Sequence, residues 1–222
     1  MPRPLVIAID GPSGAGKGTL ARAVAAALSY RHVDTGAMYR AIAWKAVHEG
    51  VALDDEHAVA ALAHRAALDV TDGRATIDGQ DVTQAIRTPE MDRAAAAVAR
   101  LPAVRAVLVE RQRALGAEGA VVMEGRDIGT VVFPGADVKI YLDADPGERA
   151  RRRAGDAAHT GGRQGTLAGV RQDLEARDAL DTTRAVAPLA LAPDAHYLDT
   201  TDMPIVDVIE TVMGIVRAKQ AG

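Results

Sequence analysis

Residues 5–19 read LVIAIDGPSGAGKGT, an apolar run followed by a glycine-rich loop that contains Lys17. The apolar residues at 5–9 predict a buried strand that ends at Asp10, and the alanine-rich residues after the loop predict a helix up to Leu28. Glycines between a strand and a helix allow backbone N–H groups to turn toward a phosphate, the lysine adds a positive charge, and the helix contributes the positive end of its dipole. This order of strand, loop and helix therefore predicts a binding site for an ATP-type polyphosphate.

The loop matches the pattern G-x-x-x-x-G-K, which chance rarely produces. With 21 glycines in 222 residues, roughly 0.03 such matches are expected by accident. The alternative is a flexible loop with no ligand. In this type of loop, a hydroxyl group approaches the metal ion that accompanies the bound polyphosphate, directly or through water. The residue after Lys17 is Gly18, so we expect this hydroxyl one position later, at Thr19. The predicted ATP-binding residues are Gly11, Pro12, Ser13, Gly14, Ala15, Gly16, Lys17, Gly18 and Thr19.

Strand-like apolar runs recur along the chain at 5–9, 120–123 and 138–142, with a weaker run at 195–199. Helical stretches separate them, and runs that are apolar on both faces are typical of parallel strands covered by helices on both sides. The sequence therefore predicts an α/β fold with a parallel β-sheet flanked by helices. Ligands of such sheets bind beyond the carboxyl ends of the strands, and we expect the functional residues there.

Residues 68–83 interrupt this alternation of strands and helices. They contain three short β-branched segments, separated by the dipeptides Asp72-Gly73 and Asp78-Gly79. Such dipeptides are typical of hairpin turns. We therefore predict a small antiparallel β insert at 68–83.

Prolines mark the starts of three predicted helices. Pro89, Pro102 and Pro146 each stand in the first turn of a helical stretch. Asp145, which precedes the last of them, and Glu148 three residues later have the form of a capping box.

A glycine-rich segment at 155–166 lies between the helix that starts at Pro146 and a helical period that resumes at Leu167. Both flanking helices carry arginines, and few apolar residues anchor the segment between them. These features are typical of a helical lid that closes over a ligand. The alternative is a disordered surface loop.

The bulk properties limit the classes of protein to which the chain can belong. A length of 222 residues suits a single domain, and 48% of these residues are hydrophobic. The net charge of -4 implies no basic surface for a nucleic acid backbone, so we expect no nucleic acid polymer as a partner. The chain contains no cysteine, which removes disulfides and thiolate metal sites. No apolar span reaches the length of a membrane helix, and the run at 5–9 is too short for a signal peptide. We expect a cytoplasmic monomer with no membrane partner.

Arginines and acidic residues recur where ligand groups are expected. Arg126 and Asp127 follow the strand-like run at 120–123, and Thr35 and Arg40 open a helical stretch after a short strand. Any one of them is most simply a surface charge or half of an ordinary ion pair. Their joint position at strand ends favours a binding site for a second anion, which would accept the phosphoryl group.

A second group of charged residues belongs to the predicted lid. Arg177, Asp181 and Arg184 have the spacing i, i+4, i+7, which predicts that they share one face of a helix. The complete set of candidate acceptor-binding residues is Thr35, Arg40, Arg105, Arg126, Asp127, Arg177, Asp181 and Arg184.

At these positions the chain resembles the bacterial-type cytidylate kinases, members of the nucleoside-monophosphate kinase family. The matching segments span nearly the whole chain, and the second, fourth and fifth of them, together with the insert at 68–83, are specific to this family. The segments read IDGPSGAGKGT at 9–19, DTGAMYR at 34–40, IRT at 86–88, GRDIGTVVFP at 125–134 and RAVAPL at 184–189.

The resemblance implies a fold of the P-loop NTPase type and a Mg²⁺-dependent transfer of the γ-phosphoryl group of ATP to CMP or dCMP. It implies catalytic roles for Lys17, Arg126 and Arg184. The eight candidate residues then form the CMP site. Within that site the resemblance places Arg105 and Asp127 at the cytosine edge, and Arg177 and Asp181 at the sugar.

The resemblance also divides the chain into regions and exposes one departure. A small hydroxyl residue that helps to read the base in some relatives aligns with Ala96, so cytosine discrimination leans more on Arg105 and Asp127 or is looser for UMP. The expected regions are a core at 1–34, 101–148 and 185–222, a monophosphate-binding region at 35–100, and a lid at 149–184.

Two alternatives remain open at this point. The first is a kinase for another small acceptor, such as UMP, AMP or a metabolite alcohol. An alcohol acceptor would need a carboxylate base, and Asp10 or Asp127 could fill this role. A nucleotide-dependent binding module without turnover would usually show switch loops, and the sequence contains no convincing D-x-x-G element. The density of arginines favours a phosphate acceptor over an alcohol.

Overall fold

The structure is a computed structural model that describes residues 3–156 and 166–221. Within these residues it contains eight strands and eight α-helices. The strands are β1 (Val6–Asp10), β2 (Arg31–Asp34), β3 (Leu68–Thr71), β4 (Arg74–Ile77), β5 (Gln80–Asp81), β6 (Val121–Glu124), β7 (Val138–Asp143) and β8 (His196–Asp199). The helices are α1 (Lys17–Leu28), α2 (Thr35–His48), α3 (Glu56–Arg65), α4 (Pro89–Val98), α5 (Pro102–Gly116), α6 (Pro146–Ala154), α7 (Leu167–Thr183) and α8 (Ile205–Ala221), and a π-helical turn covers Ile128–Val132.

Five strands form one parallel sheet in the order β2-β6-β1-β7-β8. The predicted α/β fold with a parallel sheet is therefore confirmed, including the weaker strand near 195–199. Because all five strands point the same way, their carboxyl ends meet at one edge of the sheet, where ligands of such folds bind. The strands β2 and β6 are neighbours in the sheet although some 90 residues separate them in sequence.

Helices cover both faces of the sheet, which explains why its strands are apolar on both sides. Ile7 and Ile9 pack in a cluster with residues of α1 and α8. Ala8, whose side chain points to the opposite face, packs in a second cluster with residues of α2, α4 and α5.

The predicted antiparallel insert is also confirmed. Strands β3, β4 and β5 form a three-stranded antiparallel sheet. Both of its turns place two successive residues at positive φ, as a two-residue hairpin turn requires, for instance Asp72 at 51° and Gly73 at 82°. The first turn also fastens the insert to the core, because Asp72 N donates to His32 O at 3.0 Å and Asp72 Oδ1 accepts from His32 N at 3.2 Å.

The predicted helix starts at Pro89, Pro102 and Pro146 are confirmed. The capping box predicted at the third is only half formed. Asp145 Oδ1 accepts from the N–H groups of Gly147 and Glu148, as a cap should. The carboxylate of Glu148 turns away from the cap and binds Arg151 and Arg152, because two guanidinium groups one turn further along offer charged donors.

The segments on either side of the predicted lid are both helical. Helix α6 packs against α7, and α7 contacts α4. Most of the glycine-rich segment, at 157–165, lies outside the described residues. One prediction for this region is wrong: α7 ends at Thr183, and Arg184 follows it with an extended backbone, at φ -62° and ψ 140°. Arg184 therefore does not share a helical face with Arg177 and Asp181. No helix in the described part of the chain combines the length and apolar character needed to span a bilayer.

Candidate active site

The phosphate loop connects the end of β1 to the start of α1. Gly11 has a φ of 142°, and a Cβ atom placed on it would lie 2.0 Å from the backbone oxygen of Leu142 on β7. Only glycine allows the loop to leave the sheet so close to the neighbouring strand. The loop thus starts in the centre of the sheet edge, between β6 and β7.

Lys17 lies inside the loop that precedes it. Its Nζ atom donates to Pro12 O at 2.7 Å, and the side chain is buried. Burial, with a further contribution from the nearby Arg126 guanidinium, lowers the pKa of Lys17 to about 7. An anion bound in the loop would restore the charged form of this lysine.

Asp10, at the end of β1, holds the segment that follows the candidate acceptor residues Arg126 and Asp127. Its carboxylate accepts from Ile128 N at 2.8 Å and from Gly129 N at 2.7 Å. Burial raises the pKa of Asp10 to about 6, although these two hydrogen bonds act in the opposite direction. The π-helical turn that follows Arg126 and Asp127 is thereby fixed to the central strand.

A cavity of about 680 Å³ opens beside the phosphate loop. The loop forms one wall with residues from Ser13 to Thr19, and three of the candidate acceptor residues, Arg40, Arg126 and Arg177, line the same cavity. The Nε atoms of Arg40 and Arg177 are buried and have no hydrogen-bond partner among the described residues. The structure therefore brings the loop and three of the eight candidate acceptor residues to one space. The other five do not line this cavity: Thr35, Arg105, Asp127, Asp181 and Arg184.

Helix α2 presents Arg40 to this cavity in a fixed orientation. Asp34 caps the helix by accepting from Ala37 N at 3.0 Å, and it also accepts from Arg40 Nη2 at 2.9 Å. Burial acts to raise the pKa of Asp34, but the Arg40 guanidinium and the hydrogen bond from Ala37 hold it at about 2. Thr35, the first residue of α2, donates its hydroxyl to Glu124 O at 2.7 Å and so joins the helix to the end of β6.

The other candidate residues form a buried chain of alternating charges next to the cavity. Arg126 Nε donates to Asp181 Oδ2 at 2.8 Å, and Arg184 lies 3.9 Å from Asp181 and 3.6 Å from Asp127. Asp127 in turn pairs with Arg105. Burial opposes ionisation of Asp181, but Arg126 and the other nearby arginines lower its pKa below the usual range. Each charge in this row of side chains is thus compensated by its neighbours in the row.

Apolar residues line another part of the cavity. Met203, Pro204 and Ile205 line it at the start of α8. Arg152 lies beside them, held by Thr200, which accepts from Arg152 Nη2 at its backbone oxygen at 2.6 Å. An apolar wall and a guanidinium plane form a surface that suits an aromatic base.

A carboxylate faces the first turn of α1. The side chain of Glu124, at the end of β6, lines the cavity, and a Cβ atom placed on Gly18 would lie 3.2 Å and 3.5 Å from its two carboxylate oxygens. Thr19 lies on the same turn and lines the same cavity. The described residues contain no group of three or more histidine, cysteine or acidic side chains that would hold a metal by itself.

Comparison with known proteins assigns this architecture to a family. The family model for cytidylate kinase matches residues 7–218. The chain belongs to the cytidylate kinase family. It is 49% identical to the cytidylate kinase of Solibacter usitatus over 97% of the chain and 93% of that protein. It is 46% identical to the cytidylate kinase of Desulfitobacterium hafniense (99% and 95% covered) and 48% identical to that of Pelotomaculum thermopropionicum (96% and 96% covered).

Two acidic residues of this cytidylate kinase family member were not predicted as site residues. Asp92 on α4 lies 3.1 Å from Arg177 and 3.8 Å from Arg40, and it also pairs with Arg153. Its sequence context, the first turn of a helix, predicts only a favourable interaction with the helix dipole. Glu124 lies two residues before the predicted pair Arg126 and Asp127 at a strand end, and this position was the available signal.

Proposed function

We propose that the protein transfers the γ-phosphoryl group of ATP to CMP or dCMP and releases ADP with CDP or dCDP. One observation carries this proposal: the phosphate loop and the arginines at 40, 126 and 177 line a single cavity of about 680 Å³. A cavity of this size suits small ligands. Two sets of anion-binding groups in one cavity favour the end-to-end meeting of a triphosphate and a phosphate monoester. The similarity to cytidylate kinases supports the choice of acceptor.

We assign the donor side to the loop from Gly11 to Thr19 and to the apolar part of the cavity. The backbone N–H groups of the loop, Lys17 and the start of α1 would hold the polyphosphate. The adenine would lie against Met203 to Ile205, with Arg152 at its side, since this is the apolar part of the same cavity.

We assign the acceptor side to the eight predicted residues. The guanidinium groups of Arg40 and Arg126 would bind the monophosphate, because both line the cavity and Arg40 keeps a buried Nε donor available. Arg177, which also lines the cavity, would lie toward the sugar, as the resemblance implies. The remaining residues would complete the site, with Arg105 and Asp127 toward the cytosine, Asp181 toward the sugar, Arg184 toward the transferred group, and Thr35 at the start of α2.

Three further assignments concern the regions of the chain. Residues 35–100 would form the monophosphate-binding region, since Arg40 and Asp92 come from it, and 149–184 would form the lid. The two described lid helices, α6 and α7, supply Arg153 and Arg177, and both arginines lie against Asp92 of α4. The remaining residues would form the core.

The residues beside the phosphate loop fit the Mg²⁺ ion that accompanies ATP. Oxygen ligands are the ones that Mg²⁺ prefers, and it is usually held by one or two protein groups plus substrate phosphates and water. The Thr19 hydroxyl and the Glu124 carboxylate are two oxygen groups that line the cavity near the first turn of α1. When bound, the ion supplies positive charge to the β- and γ-phosphate oxygens.

The chemical step follows from this arrangement without a general base. The second pKa of a phosphate monoester is about 6, so the acceptor oxygen is already ionised near neutral pH. That oxygen attacks the γ-phosphorus, the bond from phosphorus to the β–γ bridging oxygen breaks, and the electron pair leaves with ADP. The protein contributes alignment and positive charge through Lys17, Arg126 and Arg184. Closure of the lid would exclude water, which otherwise competes as acceptor.

The structure disfavours the alternative of an alcohol acceptor. Asp10 accepts two backbone hydrogen bonds, and Asp127 pairs with Arg105, so neither of the two candidate carboxylates is placed to receive a proton from an alcohol.

A coupled assay of ADP release tests the function directly. It uses ATP and Mg²⁺ with CMP, dCMP, UMP, AMP, shikimate or no acceptor. We expect fast ADP release with CMP and dCMP, and slow release without an acceptor. Release with shikimate alone would establish an alcohol kinase, and release that is equal with and without acceptor would establish a nucleotide hydrolase or switch.

A further inference from the structure

His32 is a buried residue of β2 whose side chain has one polar partner within residues 3–156 and 166–221. Its Nε2 atom lies 3.0 Å from Oε1 of Glu124, and the two side chains are 3% and 10% exposed. An ionised carboxylate can only accept, so Nε2 carries the hydrogen and donates it. The other ring nitrogen, Nδ1, is buried and has no hydrogen-bond partner among the described residues. A hydrogen on Nε2 therefore fits the contact with Glu124.

The backbone of His32 is held on both sides. Strand β2 pairs with β6, which carries Glu124, in the parallel register that aligns His32 with Val122. On the side away from β6, Asp72 of the insert both donates to His32 O and accepts from His32 N. The imidazole thus stands on a rigid support and fixes the carboxylate that it contacts.

The carboxylate of Glu124 lies next to the first turn of α1, as the distances from Gly18 show. A carboxylate so close to the phosphate loop would repel a polyphosphate unless a cation lies between the two. A Cβ atom placed on Gly18 would also lie 3.3 Å from Arg22 Nη1, so a guanidinium group beside Glu124 compensates part of this charge in the free protein, and the metal ion of the nucleotide would compensate the rest.

We propose that His32 is a positioning residue that holds the Glu124 carboxylate toward the metal ion of the bound nucleotide. This inference rests on the proposed function only in requiring a metal–nucleotide donor, and it does not depend on which acceptor is used. Partners of this kind fix the direction of a ligand side chain, and their removal typically weakens metal binding about 10-fold or more. Without the Nε2–H group, the rotatable Glu124 side chain would lose its fixed direction.

Two amide variants test the proposal with matched chemistry. In His32→Gln the side-chain amide nitrogen reaches the position of Nε2 and can donate to Glu124, whereas in His32→Asn the same amide is one methylene too short. Both variants bury an amide at the same place, so a merely structural role predicts similar behaviour. His32→Leu removes the donor entirely. His48→Leu is the control, because His48 lies about 20 Å along α2 from its first residue.

The readout is the affinity of Mn²⁺, measured by the loss of its free electron paramagnetic resonance signal, for the protein with a nonhydrolysable ATP analogue and no acceptor. We expect His32→Asn and His32→Leu to weaken Mn²⁺ binding about 10-fold. His32→Gln and His48→Leu should bind Mn²⁺ as the unchanged protein does. In a Glu124→Gln background, His32→Asn should cause no further loss, because the group that it positions is gone.

Equal Mn²⁺ affinity in folded His32→Asn and His32→Gln would overturn the inference, as would an additive loss in the Glu124→Gln background. The Asn and Gln pair keeps the test valid if His32→Leu does not fold. Failure of CMP turnover with the expected Mn²⁺ result would contradict only the proposed acceptor. Normal CMP turnover with unchanged Mn²⁺ affinities would contradict only the role of His32.

Discussion

The Nη1 atom of Arg177 on α7 lies 3.1 Å from Oδ1 of Asp92 on α4. Arg40 of α2 and Arg153 of α6 approach the same carboxylate. One acidic residue thus compensates arginines from three different helices. Burial lowers the pKa of Arg177, and Asp92 is the main group that opposes this effect. The carboxylate holds together cations that would otherwise repel one another, at the place where we propose that a monophosphate binds.

The first prediction concerns Asp92→Asn, which keeps the size of the side chain and removes its charge. We expect the free energy of unfolding to fall by about 2 kcal/mol, because three arginines lose a shared partner. Inorganic phosphate or CMP should restore more stability to the variant than to the unchanged protein, since an added anion replaces the missing charge. Thermal denaturation with and without these anions measures both effects.

The exposed Asp173→Asn on α7 is the matched control for this prediction and should leave the denaturation midpoint unchanged. If phosphate raises the midpoints of the unchanged protein and of Asp92→Asn equally, Asp92 does not stand in for a bound anion.

Local sequence patterns sufficed to predict the strands, the insert and most helix starts. The turn at Asp72-Gly73 and the cap at Asp145 depend on residues a few positions apart, and sequence shows these directly. The predicted position of Arg184 was wrong because charge spacing says nothing about where a helix ends. Helix α7 ends at Thr183, and Arg184 reaches Asp127 and Asp181 from an extended segment.

The missed site residues depend on contacts between distant parts of the chain. His32 contacts Glu124 only because β2 pairs with β6 in the sheet, across 92 positions of sequence. Asp92 meets Arg153 across 61 positions. The sequence around Asp92 shows only an aspartate in the first turn of a helix, and that around His32 only a histidine in a strand. These contacts become visible only when the strand order and the packing of α4 against α7 are known.

The second prediction concerns Arg126, which lines the cavity and is held by Asp181. Arginines that stabilise a transferring phosphoryl group contribute roughly 10³ to 10⁵ in rate. We expect Arg126→Ala to lower kcat/KM for CMP at least about 100-fold, and Arg126→Lys to lower it less, because it keeps the charge but not the planar fork. Arg217 is exposed, and Arg217→Ala is the control, which should leave kcat/KM for CMP unchanged. Near-normal turnover in a folded Arg126→Ala protein would remove this residue from the site.

The third prediction concerns Ala96, one helical turn after Asp92 on α4. Because this position lacks a hydroxyl group, we expect modest discrimination between CMP and UMP, with Arg105 and Asp127 supplying most of it. A site that hydrogen-bonds a base rejects an analogue that leaves its polar groups unpaired. Ala96→Ser should therefore increase the ratio of kcat/KM for CMP to that for UMP several-fold, while Ala97→Ser, at the exposed neighbouring position, should not. An unchanged ratio in Ala96→Ser would show that this position does not face the base.

The fourth prediction concerns proton uptake by Lys17 when the nucleotide binds. Burial holds the pKa of this lysine at about 7, so at pH 8 most molecules carry it neutral. A bound triphosphate favours the ammonium form and raises the pKa, so binding at pH 8 should take up as much as one proton per nucleotide. The affinity for ATP should therefore fall as the pH rises above 7, by up to about 10-fold per unit.

Titration calorimetry at pH 8 in buffers of different ionisation enthalpy measures this uptake as a change in the observed heat. Lys17→Arg provides the matched comparison, because a guanidinium remains charged throughout this range and should bind without taking up a proton. The ATP phosphates are themselves ionised at pH 8, so the proton must enter the protein. Heat that does not depend on the buffer would contradict a neutral Lys17 in the free protein. The lysine would then be charged despite its burial and its contact with Pro12 O.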